Sequence, residues 1–168
     1  MFRPRTPSTF AALCLALLFA NSLPQICTAA DQAIAIQWDP RQANPVEAVW
    51  LGYLMARAVY RDEHKLPLPS SGKITPSFNE ESSARTAAVE IYQELKAKDK
   101  VPHDPYWEVL SLVKNKGFMD EYVWTYLYRP EWQNKEKPKN LPAFQEWSKL
   151  TLKGHRPQTY GSLAVERK

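Results

Sequence analysis

The nine residues from Ala48 to Ala56 (AVWLGYLMA) carry no charge on any face of a helix. A helix that is apolar all round must be buried on every side. This run therefore predicts a central helix, with the rest of the chain wrapped around it. Its start is written in Asn44-Pro45-Val46-Glu47: Asn caps, Pro suits the first helical position, and Glu three residues on reaches back to the cap amide. Val46, Val49, Trp50, Tyr53 and Tyr60 recur at three- and four-residue steps and carry the helix to about Glu63.

Four more helices are expected. Ser77 and Glu80 have capping-box spacing, opening a helix over about 77–98 with a narrow stripe of Ala84, Ala88, Ile91 and Leu95. Its acids at the start and lysines at the end complement the macrodipole, as in an ordinary surface helix. Asp104-Pro105 opens a third helix that stops at Gly117. A fourth, over about 119–128, rests on the spacing of Met119, Tyr122, Val123 and Tyr126, against the β-forming content of EYVWTYLY. The last starts near Asn140 to Pro142 and ends at Gly154, with Leu141, Phe144, Trp147 and Leu150 or Thr151 on its stripe.

The fold class is thus all-α: a small bundle of about five helices with an extended N-terminal arm. Ile34, Ile36 and Trp38 alternate with Ala35 and Gln37, which makes that arm extended and Trp38 its anchor. The alternative is α+β, with 33–38 pairing against 122–128.

Residues 1–30 read as a cleaved signal peptide. Arg3 and Arg5 precede the eleven-residue apolar run Phe10 to Ala20, and small residues suit cleavage after Ala29 or Ala30. The run falls short of the roughly 20 residues a spanning helix needs. Cleavage leaves 138 of the 168 residues, with 20 basic against 18 acidic side chains. Cys14 and Cys27 leave with the leader, so the mature chain has no thiol. That excludes disulfides, Cys-ligated metals, c-type haem and a cysteine nucleophile. A chain of this size buries about two-thirds of its extended surface without such staples. One domain over 31–154 is expected, followed by a polar, partly disordered tail over 155–168. The predicted destination is the periplasm or the exterior.

No catalytic signature is present. His64, His103 and His155 stand far apart, with none of the spacings that hold a metal on one helix face, so no metal is expected. No serine lies in a nucleophile elbow. Five glycines form no phosphate-cradling loop, and no cofactor is expected. A pair of carboxylates could act on glycan, but spacing alone selects none. The near-neutral mature charge, with lysines interleaved with acids, argues against nucleic acid.

The candidate binding residues are cations and one aromatic. Arg57, with Arg61 a turn on, ends the uncharged run; it must pair with an acid (Glu90, Glu94 or Asp120) or face a ligand. Trp50, Trp107, Trp124 and Trp147 sit on helical stripes and are expected in the core. Trp132 lies in the charged loop RPEWQNKEKPKN, either folded back as a lid or exposed as an anchor, with Arg129 and Lys135 suited to an acidic partner. The favoured function is a small exported protein-binding module, such as an inhibitor or immunity-type protein acting by occlusion. The alternative is a cell-envelope enzyme using paired carboxylates.

Overall fold

A computed structural model describes residues 26–29, 32–37, 45–159 and 161–167. Five α-helices dominate: α1 (Glu47–Glu63), α2 (Phe78–Ala97), α3 (Pro105–Asn115), α4 (Met119–Tyr126) and α5 (Leu141–Thr151). A 3-10 turn, Pro130–Trp132, lies between α4 and α5. Four short strands accompany them: β1 (Ile26–Ala29), β2 (Gln32–Gln37), β3 (Gly72–Lys73) and β4 (Ser162–Arg167). The fold is mostly helical with a minor antiparallel sheet.

The uncharged run is a largely buried helix, as expected, but it is not the one the others surround: α1 packs on α2, β2 and β4, while α2 packs on α1, α3 and α4. Val49, Trp50, Tyr53, Leu54, Met55, Ala56 and Ala58 of α1 are all buried. Its main neighbour is α2, and Gly52 sets how close the two come. A Cβ on Gly52 would lie 2.5 Å from Ile91 Cδ1. The α2 stripe is as expected, with Ala84, Ala88, Ile91 and Leu95 all buried. Yet α2 is not a surface helix. Glu80, Glu81 and Arg85 are buried with the stripe, so it is closed over on a second face.

Local signals place the helix ends. The capping box at Ser77 is formed in both directions. Asp104 accepts from the amides of Tyr106 and Trp107. Gly117 terminates α3 at φ +72, and the Phe118 amide reaches back to the Val113 carbonyl, the Schellman pattern. EYVWTYLY is helical as far as Tyr126. The α1 start differs from expectation: the residue before its first turn is Val46, with no side-chain cap. The expected cap Asn44, the anchor Trp38 and the leader up to residue 25 lie outside the described residues.

The arm is extended, as expected, and its partner is the tail. The order of the sheet is β1-β2-β4-β3. The extended arm is β2, and its partner is neither absent nor 122–128. It is the tail, in antiparallel register from Gln32↔Arg167 to Gln37↔Ser162. Ile34 stands opposite Val165 and Ile36 opposite Leu163, and all four are buried. The tail over 155–168, expected to be partly disordered, supplies an interior strand. Leu163 and Val165 are only two apolar residues at strand spacing, too few to show a period in the sequence alone.

Candidate functional site

Two buried ionic groups join α1 to α2. Arg57 Nε and Arg61 Nη1 donate to the two oxygens of Glu80, at 2.9 and 2.5 Å. Arg57 also donates to the Ile74 carbonyl and Arg61 to that of Pro67, which fastens the 64–76 connection to α1. Glu81 accepts from Tyr53 Oη at 2.7 Å and from Arg85 Nε at 2.7 Å. Burial alone would raise the Glu81 carboxyl; Arg85 and the Tyr53 hydroxyl outweigh it and hold it below the ordinary range.

From Arg85 the polar chain runs outward. Arg85 donates to Tyr106 Oη and, at 3.2 Å, to the Gln158 carbonyl. Tyr122 Oη and His155 Nε2 share a hydrogen bond at 2.8 Å. The His155 ring stacks on Tyr106, with centroids 5.7 Å apart and planes at 16°. Burial, then the charge of Arg85, push the His155 imidazole below its ordinary value. Burial raises both Tyr106 and Tyr122. The chain thus links a buried carboxylate to a half-buried histidine at the surface.

Two cavities of about 380 Å³ each open on the surface, with opposite electrostatics. One lies between α1 and α2, with a floor of Ala56, Val59, Ala87 and Ile91 and a rim of Glu63, Glu90 and Glu94. Two of these acids are already occupied: Lys98 pairs with Glu94 at 2.6 Å and Lys114 with Glu90 at 3.2 Å. The other cavity lies between the start of α3 and the end of α5. Lys153, His155 and Arg156 line it, and among the described residues no carboxylate does. Among the described residues, no group of three His, Cys, Asp or Glu side chains comes within reach of one metal ion. No described helix is long and apolar enough to cross a membrane.

The sequence candidates scatter. Arg57 and Arg61 do pair with an acid, but it is Glu80 rather than Glu90, Glu94 or Asp120. Both are buried and face the interior, so neither is open to a ligand. Trp132 is no exposed anchor. It is 3 % exposed, packs edge-on against Phe78, and its Nε1 donates to the Pro76 carbonyl at 3.1 Å. It is the lid of the two alternatives. Arg129 is half-buried, with its Nε enclosed and without a hydrogen-bond acceptor. Lys135 is exposed. Trp50 and Trp107 are core, as expected, whereas Trp124 and Trp147 are only partly covered.

What sequence reasoning missed is the distribution of unpaired charge. Residues 129–156 carry seven of the chain's cations, Arg129 to Arg156, against the three acids Glu131, Glu136 and Glu146. Among the described residues, ion pairs use cations only from 57–114, and none of those seven. On the same segment Leu150 is 88 % exposed and Trp147 half-buried.

Comparison with protein-family models, with curated proteins and with solved structures finds no match to this chain.

Proposed function

We propose that the chain is an exported, periplasmic protein-binding module that acts by occlusion, as an inhibitor or immunity-type protein does. Its contact face is the basic segment Arg129 to Arg156. The observation that carries this reading is that, among the described residues, none of its seven cations is spent on an internal ion pair, while Leu150 stands out among them. An exposed Leu beside a half-covered Trp supplies apolar contact, and the lysines around them supply electrostatic steering. The partner is accordingly a protein with an acidic surface. Trp132 is the lid of its two sequence readings, and the apolar contact falls to Trp147 and Leu150.

The test is capture from envelope extracts with the chain beginning at Asp31. A stoichiometric partner should be retained by the native face and lost from the Lys135→Glu, Lys149→Glu, Leu150→Asp triple variant. Equal capture by both would refute the assignment of the face. Mass spectrometry of the exported protein should find its N-terminus at Ala30 or Asp31; an intact Met1 in the envelope fraction would refute export by cleavage.

One observation favours the alternative, a carboxylate enzyme acting on envelope glycan. Glu63, Glu90 and Glu94 rim a single groove. Release of reducing ends from cell-wall glycan, abolished by Glu63→Gln or Glu90→Gln, would establish it in place of binding.

A further inference from the structure

The cavity beside His155 has a composition suited to one kind of guest. Its apolar wall is Tyr106, Val109 and Leu152, and its mouth carries Lys153, His155 and Arg156. Lys153 and Arg156 are exposed and have no ion-pair partner among the described residues. Behind the wall lies the Arg85 guanidinium, bonded to Tyr106 Oη and to the Gln158 carbonyl. Arg85 is matched by Glu81, so the uncompensated positive charge of this region sits at the mouth.

We propose that this cavity is a carboxylate subsite, into which the partner protein inserts an aspartate or glutamate side chain flanked by apolar residues. The inference rests on the reading of 129–156 as the contact face and names the group that face recognises. An inserted carboxylate would meet two exposed cations and the imidazole, while its methylene stem and neighbours would cover Val109, Leu152 and the Tyr106 ring. Charge-assisted bonds are the strong ones in such a site. A cationic or neutral side chain finds no acceptor carboxylate there. The size suits this guest, since the cavity would hold one side chain and part of its neighbour but not a folded element.

The imidazole reports occupancy. The groups facing His155 are Arg85 on α2, Tyr106 on α3, Tyr122 and Tyr126 on α4, and the adjoining Lys153 and Arg156. Among the described residues none of these groups is an acid, so an inserted carboxylate would bring an anion beside the ring and would favour its protonated form.

The experiment is a chemical-shift titration of the chain with three probes: N-acetyl-Leu-Glu-Leu-amide, its Gln counterpart, and sodium succinate. The acidic peptide should move the resonances of Leu152 and His155 and raise the His155 titration midpoint. The Gln peptide should bind at least about tenfold more weakly, the worth of one charge-assisted bond. The Lys153→Gln, Arg156→Gln double variant should lose the acidic peptide by a similar factor at unchanged Tm, since both side chains are exposed. Equal binding of the Glu and Gln peptides, or undiminished binding to the double variant, would overturn the proposal. Succinate binding as tightly as the peptide would replace it with a site for free carboxylates. No partner protein is needed, so a positive titration beside a failed capture would place the fault in the partner reading and not in the subsite.

Discussion

Glu80 lies between two arginines of the neighbouring helix: its Oε1 is 2.9 Å from Arg57 Nε and its Oε2 2.5 Å from Arg61 Nη1. All three side chains are buried, and the same carboxylate closes the capping box at Ser77. One acid therefore neutralises two buried cations, fixes the start of α2 and, through Arg57 and Arg61, holds the Pro67 and Ile74 carbonyls of the intervening connection. Glu80→Gln leaves two guanidinium groups facing each other without a counter-ion. Breaking a buried pair by removing one partner costs about 3–5 kcal/mol. Urea unfolding of the variant should show a loss of that size; a loss below about 1 kcal/mol would mean that water reaches the pair.

Trp132 gives the second prediction. Its indole is enclosed, stacks edge-on with Phe78 and bonds to Pro76. Trp132→Ala removes a large buried ring and should cost about 3–5 kcal/mol. Trp132→Phe keeps the aromatic contact and forfeits one hydrogen bond, about 1 kcal/mol. The ordering of the two variants in equilibrium unfolding is the check. Equal, negligible losses would return Trp132 to the surface.

These two residues show where the sequence was readable and where it was not. Periodicity found α1 and the α2 stripe because apolar side chains repeat at the helix period whatever their partners are. It could not find that Glu80, Glu81 and Arg85 are interior. A charged residue is buried only when a counter-charge lies opposite, and that counter-charge sits 19 to 23 positions away or a turn along the same helix. Gly117 was legible as a stop because its role is local. The β2–β4 pairing joins residues more than a hundred positions apart, and no local signal encodes it. The placement of Arg57 and Trp132 was illegible for the same reason: an Arg at the end of an apolar helix and a Trp in a charged loop look alike in sequence whether they turn inward or outward.

His155 sets a pH dependence. Its folded pKa is lowered, first by burial and then by Arg85, relative to an ordinary value of 6.5. The folded state thus takes up this proton less readily than the unfolded chain, and stability rises with pH wherever the unfolded state holds more protons. The contribution of His155 is fully present above pH 6.5 and is lost as pH falls from there through the lowered folded value. Glu81 and Glu108, held below 4.5, titrate at lower pH and do not share this window. His155→Gln should flatten the stability profile between pH 6.5 and about 5. Parallel profiles for variant and parent in urea unfolding would mean that the ring is not enclosed.

Leu150 and Leu152 stand two residues apart with opposite surroundings: one is 88 % exposed, the other 4 %. Leu152→Ala opens a space beneath α5 and should cost about 2–5 kcal/mol. Leu150→Asp touches little of the fold, so its effect on stability should stay within about 0.5 kcal/mol, as for other surface changes. The contrast tests the contact face without reference to any partner. A Leu on an 11-residue helix that is free of the core, beside unpaired lysines, contributes nothing to holding the domain together. If Leu150→Asp instead destabilised the chain by more than about 1 kcal/mol, the residue would belong to the core. The basic segment would then keep its charge and lose its apolar contact.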